Sequence, residues 1–502
     1  MKYTILFLSL MFISNQAQAS KQPNIVVILS DDAGFEEFGL YKVKKGVPTN
    51  TPNIDALADR GVAFKYAWTQ AICGPSRSML LSGNYAINTG AYDNKIYYLA
   101  DKRDYKRKDR LPSFTKVLKD AGYAVTVSGK WHNPAGYDLV KNSKELGVDS
   151  YTTWSSSPTD YENILGRKLL PDETWERSAI SDKPIISRYW KPGIIKNGEV
   201  IPTTMNDYGP DIFTTEIINF IEQQTKANKP FLAYYTMVLP HSSHTVTPNE
   251  VAKGKTPSNK HFRKGSQQGM KYFLSQVNYA DQLVGKIVNK IDELGITDDT
   301  YIIFSSDNGT TASAKSKAVE YGVHVPFIAA GADVKKRGMT EELMDFTDLL
   351  PTLAELAGTS IPKHFNVDGQ SMANFLTGKS DETKEVIYAF PGPATLVRTK
   401  DYLLEAVAPI YGKPEGRLYK TNGSHDGRGY ENITHNPKYA DVKAKFKTYL
   451  DAKPHTLPDD FNHPAWSSTE AMIRGRKHFD NKKRAIKHLA LPKDYQFYDP
   501  SF

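Results

Sequence analysis

Residues 24–30 read Asn-Ile-Val-Val-Ile-Leu-Ser, an unbroken, uncharged run rich in β-branched side chains, and two aspartates, Asp31 and Asp32, follow it directly. A run this short and this uniformly apolar is a strand buried on both faces, which belongs in a parallel sheet covered by helices on each side. The rest of the chain supplies such a pattern. Helices are expected at Pro52–Arg60, at Leu111–Ala121 before Gly122, at Asp211–Gln224, and at Met270–Leu294 before Gly295. Strands are expected at Tyr123–Ser128, Pro230–Leu239, Thr300–Ser305 and Val325–Ala329. This alternation predicts an α/β fold with one large, mainly parallel or mixed sheet sandwiched by helices.

Two regions depart from that rhythm. Residues 135–210 are rich in Ser, Pro, Lys and Tyr and carry Trp154, Trp175 and Trp190; they read as an insertion over the sheet edge, where ligand sites form. Past residue 380 the alternation stops. Ala394–Arg398 and Tyr402–Val407 read as antiparallel strands and Pro437–Leu450 as a helix, so residues 381–502 are expected to form a smaller C-terminal α+β subdomain with a small antiparallel sheet, after a catalytic domain over residues 20–380.

At the N-terminus Lys2 precedes the apolar stretch Ile5–Ile13, too short to span a bilayer, and Ala17-Gln18-Ala19 forms a small-x-small site. A signal peptide over residues 1–19, cleaved after about Ala19, is the expectation, with export to the periplasm or beyond and no membrane anchor. The chain holds one cysteine, so an exported form has no internal disulfide and must rely on the core that 502 residues can bury. The formal charge of +8 suits an anionic substrate. The basic run 102–110 reads as a solvated loop, and no nucleic-acid-binding pattern is present.

The chemistry is expected at strand ends. Adjacent carboxylates such as Asp31 and Asp32 repel unless a cation neutralises them. Ser306-Asp307-Asn308-Gly309 follows a second predicted strand in the same way. Alone, each motif reads as an ordinary turn or cap. Together they make a hard, all-oxygen site that suits one Ca²⁺, with Mg²⁺ as the alternative and zinc disfavoured. The lone cysteine opens the run Cys73-Gly74-Pro75-Ser76-Arg77-Ser78-Met79-Leu80-Leu81-Ser82-Gly83. A lone cysteine is ordinarily a small buried apolar residue; its neighbours here argue for chemistry.

That run resembles the maturation signal of type I sulfatases, Cys/Ser-x-Pro-Ser-Arg, three further residues, then Leu-Thr-Gly. In that family, part of the alkaline phosphatase superfamily, the cysteine is oxidised to formylglycine, an aldehyde that serves as nucleophile. Cys73, Pro75, Ser76, Arg77, Leu81 and Gly83 match, with Ser82 in place of Thr. The similarity continues at Asp31-Asp32-Ala33-Gly34, Thr51-Pro52-Asn53-Ile54-Asp55-Ala56-Leu57-Ala58, Gly129-Lys130-Trp131-His132, Pro240-His241 and Asp307-Asn308-Gly309. The family's Glu-Gly-Gly-x-Arg-x-Pro run departs here to Glu320-Tyr321-Gly322-Val323-His324-Val325-Pro326; Lys315 falls on the family lysine before it, and Lys317 is a rival.

The resemblance implies a sulfuric ester hydrolase. One hydroxyl of the hydrated aldehyde at Cys73 would attack sulfur, and the second would let sulfate leave by elimination. Asp31, Asp32, Asp307 and Asn308, with the residue at position 73, would hold the metal; Asp307 would accept the attacking proton and Arg77 would orient the diol. Lys130 and Ca²⁺ would offset charge on sulfate oxygens. His241 and Lys315 would protonate the leaving oxygen, and His132 would be the base for elimination. His244, His324 and Lys317 are candidates for binding substrate, with packing as the other reading of His324. The three tryptophans either stack on sugars or belong to the core. A sulfated carbohydrate is the expected substrate, by similarity to bacterial sulfatases of algal polysaccharides, with a carrageenan-type galactan in view. A formylglycine-generating or sulfatase-maturing enzyme is the implied partner. Two other readings stay open: a formylglycine-dependent phosphoester or phosphonate hydrolase, and a non-catalytic protein that binds sulfated glycans.

Overall fold

The computed structural model describes residues 22–455 apart from 44–49, 93, 95–110, 134–137, 156–157, 167, 169–174, 178–183, 261, 263–266, 310–313 and 410–412. The expected signal peptide and the basic run 102–110 lie outside the described residues, as does the C-terminal end beyond 455. Among the described residues, no helix is long and apolar enough to cross a membrane.

The apolar run Asn24–Ser30 is strand β1, buried along its whole length. Its alternate side chains feed two cores: Ile25, Val27 and Leu29 face one, Val26 and Ile28 the other. The long helices Gly209–Lys226 and Gln267–Glu293 cover the Val26 face through Phe213, Ile217, Leu283 and Ile287. Helices Cys73–Ser82, Phe114–Asp120 and Leu349–Leu356 cover the opposite face through Leu80, Leu118 and Leu353.

The remaining strands are β2 (Gly61–Trp68), β3 (Ala124–Gly129), β4 (Ser150–Trp154), β5 (Trp175–Arg177), β6 (Pro184–Ile186), β7 (Ile194–Lys196), β8 (Glu199–Ile201), β9 (Phe231–Thr236), β10 (Thr300–Ser306), β11 (Phe327–Gly331), β12 (Gly338–Asp345), β13 (Ile387–Ala389), β14 (Thr395–Arg398), β15 (Tyr402–Val407), β16 (Arg417–Lys420) and β17 (Glu431–Asn432). One ten-stranded sheet runs β12-β2-β11-β10-β1-β9-β3-β4-β7-β8. Its centre, β10 to β4, is parallel, while β11 and β7 run antiparallel to their neighbours, so the sheet is mixed as expected. A separate five-stranded antiparallel sheet, β13 to β17, forms in the C-terminal part.

Some elements escaped sequence reading. β12 is a sheet edge whose first residues alternate toward solvent and include Glu341 and Glu342, so it lacks an apolar run. Part of the expected insertion is sheet: β4, β7 and β8 extend the main sheet beyond β3. Trp190 in that region is a core residue, its indole N–H donating to the Val246 carbonyl at 2.9 Å.

The two sheets meet through a third core cluster that joins Tyr66, Trp68 and Val323 to Leu396 and Leu403. A buried polar clamp reinforces it. Arg398 on β14 pairs with Glu320, Tyr430 donates to the same carboxylate at 2.7 Å, and the Glu405 carboxylate accepts from the Glu320 N–H at 3.0 Å.

Gly129 ends β3 with a φ of +109°, and a Cβ there would stand 1.8 Å from the Thr236 carbonyl oxygen on β9. Only glycine lets β3 turn this close to its neighbour and deliver Lys130 to the sheet's carboxyl edge. Gly129→Ala is therefore expected to cost at least about 2 kcal/mol in urea unfolding; an unchanged midpoint would show that the turn accepts a side chain.

Candidate active site

The carboxyl ends of β1, β3 and β10 and the N-terminus of helix Cys73–Ser82 converge on one buried cluster. Parallel pairing sets Ser30 beside Ser306, so the acidic residues after each strand emerge together. The Asp307 N–H donates to the Ser30 carbonyl at 3.0 Å, and the Asp32 N–H donates to Asp307 Oδ1 at 3.0 Å. Asp32 takes a left-handed φ of 67°.

Each carboxylate has a cation at close range. Lys130 Nζ donates to both oxygens of Asp31 at 2.8 Å. Arg77, one helical turn beyond Cys73, grips Asp307 Oδ2 with Nε at 3.0 Å and Nη2 at 2.8 Å, and its Nη1 donates to the Lys130 carbonyl. Lys315 Nζ pairs with Asp32, whose second oxygen stands 3.3 Å from His241 Nε2. Burial opposes ionisation of Asp32, yet His241, Lys315 and Lys130 beside it hold the carboxyl well below the usual range. Burial likewise pushes His132 far below the ordinary imidazole range, with Lys130 and Arg77 adding to it, and pushes His241 down against the pull of Asp32. Both are neutral at pH 7. His241 Nδ1 lies 2.6 Å from the Ser242 carbonyl, which assigns the proton to Nδ1 and leaves Nε2 to accept from Lys315 Nζ at 3.4 Å.

Cys73 is buried, and its Sγ and one oxygen each from Asp31 and Asp307 lie within 4.8 Å of one another. A cation fits here. Three carboxylates supply hard oxygen donors, and buried Asn308 Oδ1 has no hydrogen-bond partner although Nδ2 donates to Asp32 at 3.0 Å. An orphaned carbonyl oxygen among carboxylates suits a hard divalent cation.

Sequence-derived candidates fall into two groups. Cys73, Arg77, Lys130, His241, Lys315, Asp31, Asp32, Asp307 and Asn308 come together. His132 lies two residues past Lys130 with a φ of 42° and is coupled electrostatically to Arg77, Lys130 and Asp31. Three substrate-binding candidates do not join. His324 is fully buried, stacks on Phe35 with ring centres 3.7 Å apart and bonds the Lys65 carbonyl through Nε2 at 2.9 Å, the packing arrangement of its two readings. His244 is buried with Nδ1 3.0 Å from Gln276 Oε1 and its ring edge-on to Phe273. Lys317 is half-buried, with burial lowering its ammonium pKa, and the ion pair to Asp32 belongs to Lys315.

Residues that the sequence did not flag also reach the cluster. Asn94 Nδ2 donates to Cys73 Sγ at 3.3 Å while its Oδ1 accepts from the Gly74 N–H at 2.8 Å. Asn133 joins Ser78 Oγ at 2.7 Å to the Arg77 carbonyl at 3.3 Å. Arg188 brings Nη1 to 3.9 Å from Asp31 Oδ2. Asn133 directly follows His132, while Asn94 and Arg188 belong to no recognisable spacing and only the fold brings them in.

Four cations gathered around buried carboxylates on the carboxyl edge of a parallel sheet make a hydrolytic site for an anionic ester. The Sulfatase family model matches residues 23–359. An ulvan-active sulfatase of Formosa agariphila is 27% identical over 468 residues, covering 85% of this chain and 78% of the relative. Another sulfatase of that organism is 29% identical over 451 residues, covering 77% and 79%. Ps i-CgsB shares the fold, with a TM-score of 0.67, 21% identity and coverage of 92% of this chain and 99% of that one. The chain belongs to the sulfatase family, within the alkaline phosphatase superfamily, and is a type I sulfatase, a sulfuric ester hydrolase.

The Lys315 pairing yields a direct comparison. Lys315→Ala is expected to lower kcat/KM on an aryl sulfate by about 100-fold or more, whereas Lys317→Ala stays within a few-fold. An equal loss for Lys317→Ala would reverse the assignment.

Proposed function

We propose that this chain is an exported sulfatase acting on a sulfated carbohydrate, with an aldehyde made from Cys73 and one calcium ion held by Asp31, Asp32, Asp307 and Asn308. The observation that carries this reading is the position of Cys73 at a buried helix start, its sulfur beside Asp31 and Asp307 and gripped by Asn94. The N-terminal stretch ending at Ala17-Gln18-Ala19 supports export. The carbohydrate assignment draws on the ulvan-active relative and on the complex of Ps i-CgsB with k-i-k-neocarrahexaose.

Hydrated, the aldehyde supplies a hydroxyl for attack on sulfur and a second one whose deprotonation expels sulfate. A calcium ion held by Asp31, Asp32, Asp307 and Asn308 would supply positive charge at the sulfate. Asp307 takes the proton of the attacking hydroxyl; a carboxylate oxygen near Sγ supports that role, and the Arg77 fork holds Oδ2 in place. Lys130 turns from Asp31 toward a sulfate oxygen. At the opposite side Lys315 protonates the leaving oxygen, alone or through the accepting Nε2 of His241. His132, neutral because buried among Lys130 and Arg77, is the base that starts elimination.

Peptide mass spectrometry across Cys73, on protein from its native host, tests the nucleophile. The expected result is an aldehyde at position 73, with aryl sulfate hydrolysed far faster than aryl phosphate and Cys73→Ala inactive. An active protein holding only the thiol would sink this mechanism. Calcium is tested separately by thermal unfolding. Adding it at about one hundred times Kd should stabilise by about 2.7 kcal/mol, and Asp32→Asn should abolish that response. Equal stabilisation of both proteins would move the ion elsewhere.

A further inference from the structure

Two groups of the cluster stand beside the His241 ring, Asp32 Oδ2 at 3.3 Å and Lys315 Nζ at 3.4 Å. In the reading above both have other work: Asp32 holds the ion and Lys315 meets the leaving oxygen. The ring therefore needs an anchor outside the cluster, and the backbone supplies it. Nδ1 lies 2.6 Å from the Ser242 carbonyl, which ties the ring to its own main chain. That main chain is pinned from two sides. The Asp31 N–H donates to the Leu239 carbonyl at 2.8 Å. The Tyr189 phenol donates to the His241 carbonyl, with the Val238 carbonyl 3.1 Å from the same oxygen.

Tyr189 is fully buried and is itself held at both ends. Its N–H donates to Ser187 Oγ at 3.1 Å, and its carbonyl accepts from the Gly209 N–H at 2.8 Å, at the start of helix Gly209–Lys226. A Cβ at Gly209 would stand 2.2 Å from the Arg188 carbonyl oxygen, so glycine is what lets the helix start this close to the segment. The Tyr189 ring stacks on Tyr208, with centres 5.9 Å apart and planes 20° from parallel. The Tyr208 hydroxyl is buried and has no hydrogen-bond partner among the described residues, so the stack itself does not require a phenol. The hydroxyl of Tyr189 serves the two carbonyls. Satisfying them is a structural role by itself. One of them, however, belongs to the residue whose ring stands beside Lys315, and small displacements of a group that transfers a proton cost rate steeply.

We propose that Tyr189 is a positioning residue for proton delivery to the leaving oxygen: its phenol holds the His241 turn where the imidazole meets Lys315 and the departing alcohol. This rests on the sulfatase reading above. The test uses protein matured at position 73 and two esters alike in shape: 4-nitrophenyl sulfate, whose leaving oxygen needs little protonation, and phenyl sulfate, whose leaving oxygen is more basic. Tyr189→Phe keeps the ring and removes the donor. It should leave kcat on 4-nitrophenyl sulfate within about threefold of wild type and lower kcat on phenyl sulfate by at least about tenfold. In a His241→Ala background the same change should lower phenyl sulfate turnover by less than about twofold, because the two residues act through one group. Tyr208→Phe, which keeps the stack, should leave the ratio of the two rates unchanged. Independently of turnover, a crystal structure of Tyr189→Phe should show the His241 ring displaced from Asp32. Equal losses on both esters would overturn the proposal, as would an unmoved ring, a full further loss on top of His241→Ala, or a Tyr208→Phe that shifts the ratio as far as Tyr189→Phe does. If Tyr189→Phe does not fold, Ser187→Ala decides. It frees the Tyr189 N–H and should shift the ratio in the same direction by about threefold; an unshifted ratio overturns the proposal. The failure of the underlying reading looks different. An equal loss on both esters for His241→Ala removes His241 from proton delivery and this proposal with it, and a matured wild type inactive on every sulfate ester removes the sulfatase reading itself.

Discussion

Everything at this site depends on the parallel register of β1 and β10. Ser30 faces Ser306, so Asp31-Asp32 and Asp307-Asn308 leave the sheet at one level, cross-linked by the Asp307 N–H to Ser30 and the Asp32 N–H to Asp307. A slip of one residue would send alternate side chains to the wrong core and separate the carboxylates by a residue's rise. The fit of Val26 and Ile28 to one core, and of Val27 and Leu29 to the other, forbids that slip. Core packing several residues away is what fixes the geometry of the acids.

Concentrating three carboxylates in a buried space is costly, and the fold offsets it in two ways. Cations come from four separate elements: Arg77 from a helix, Lys130 from the end of β3, Lys315 from a loop and Arg188 from the region before β7. Each buried pair resists removal of one partner, because the partner left behind keeps its desolvation cost. Asp32 also holds a left-handed backbone that disfavours a residue with a Cβ, and that conformation turns two consecutive acids into one pocket. The cations are held by protein acids: Lys130 by Asp31 and Lys315 by Asp32.

The sequence revealed the central strands and the acidic turns because both are local patterns. β1 was legible from its continuous apolar run, and helix Gln267–Glu293 from its periodicity. Edge strand β12 was not, because alternate residues face water and carry charge. The same division holds for the site. Cys73 and Arg77 lie one turn apart on a helix, and their spacing announces them. Arg188 and Asn94 arrive from distant segments with no spacing to read, whereas Asn133 directly follows His132. His324 had two readings from its place in a motif, and only the fold shows it stacked on Phe35. The choice between Lys315 and Lys317 needed three dimensions, since both lie in one short loop and Lys315 is the one that pairs with Asp32.

The clamp between Arg398 and Glu320 ties the small sheet to the large one at a sensitive place. Glu320 opens the short helix whose Gly322 carbonyl accepts from the Gly309 N–H, directly behind Asn308, and Lys315 lies five residues before it. A chain ended before β14 would lose Arg398, Tyr430 and Glu405 together and leave the Glu320 carboxylate buried among apolar side chains. The small sheet is thus joined to the large one by shared buried packing and by this clamp, which sits beside the loop that carries Lys315 and Asn308.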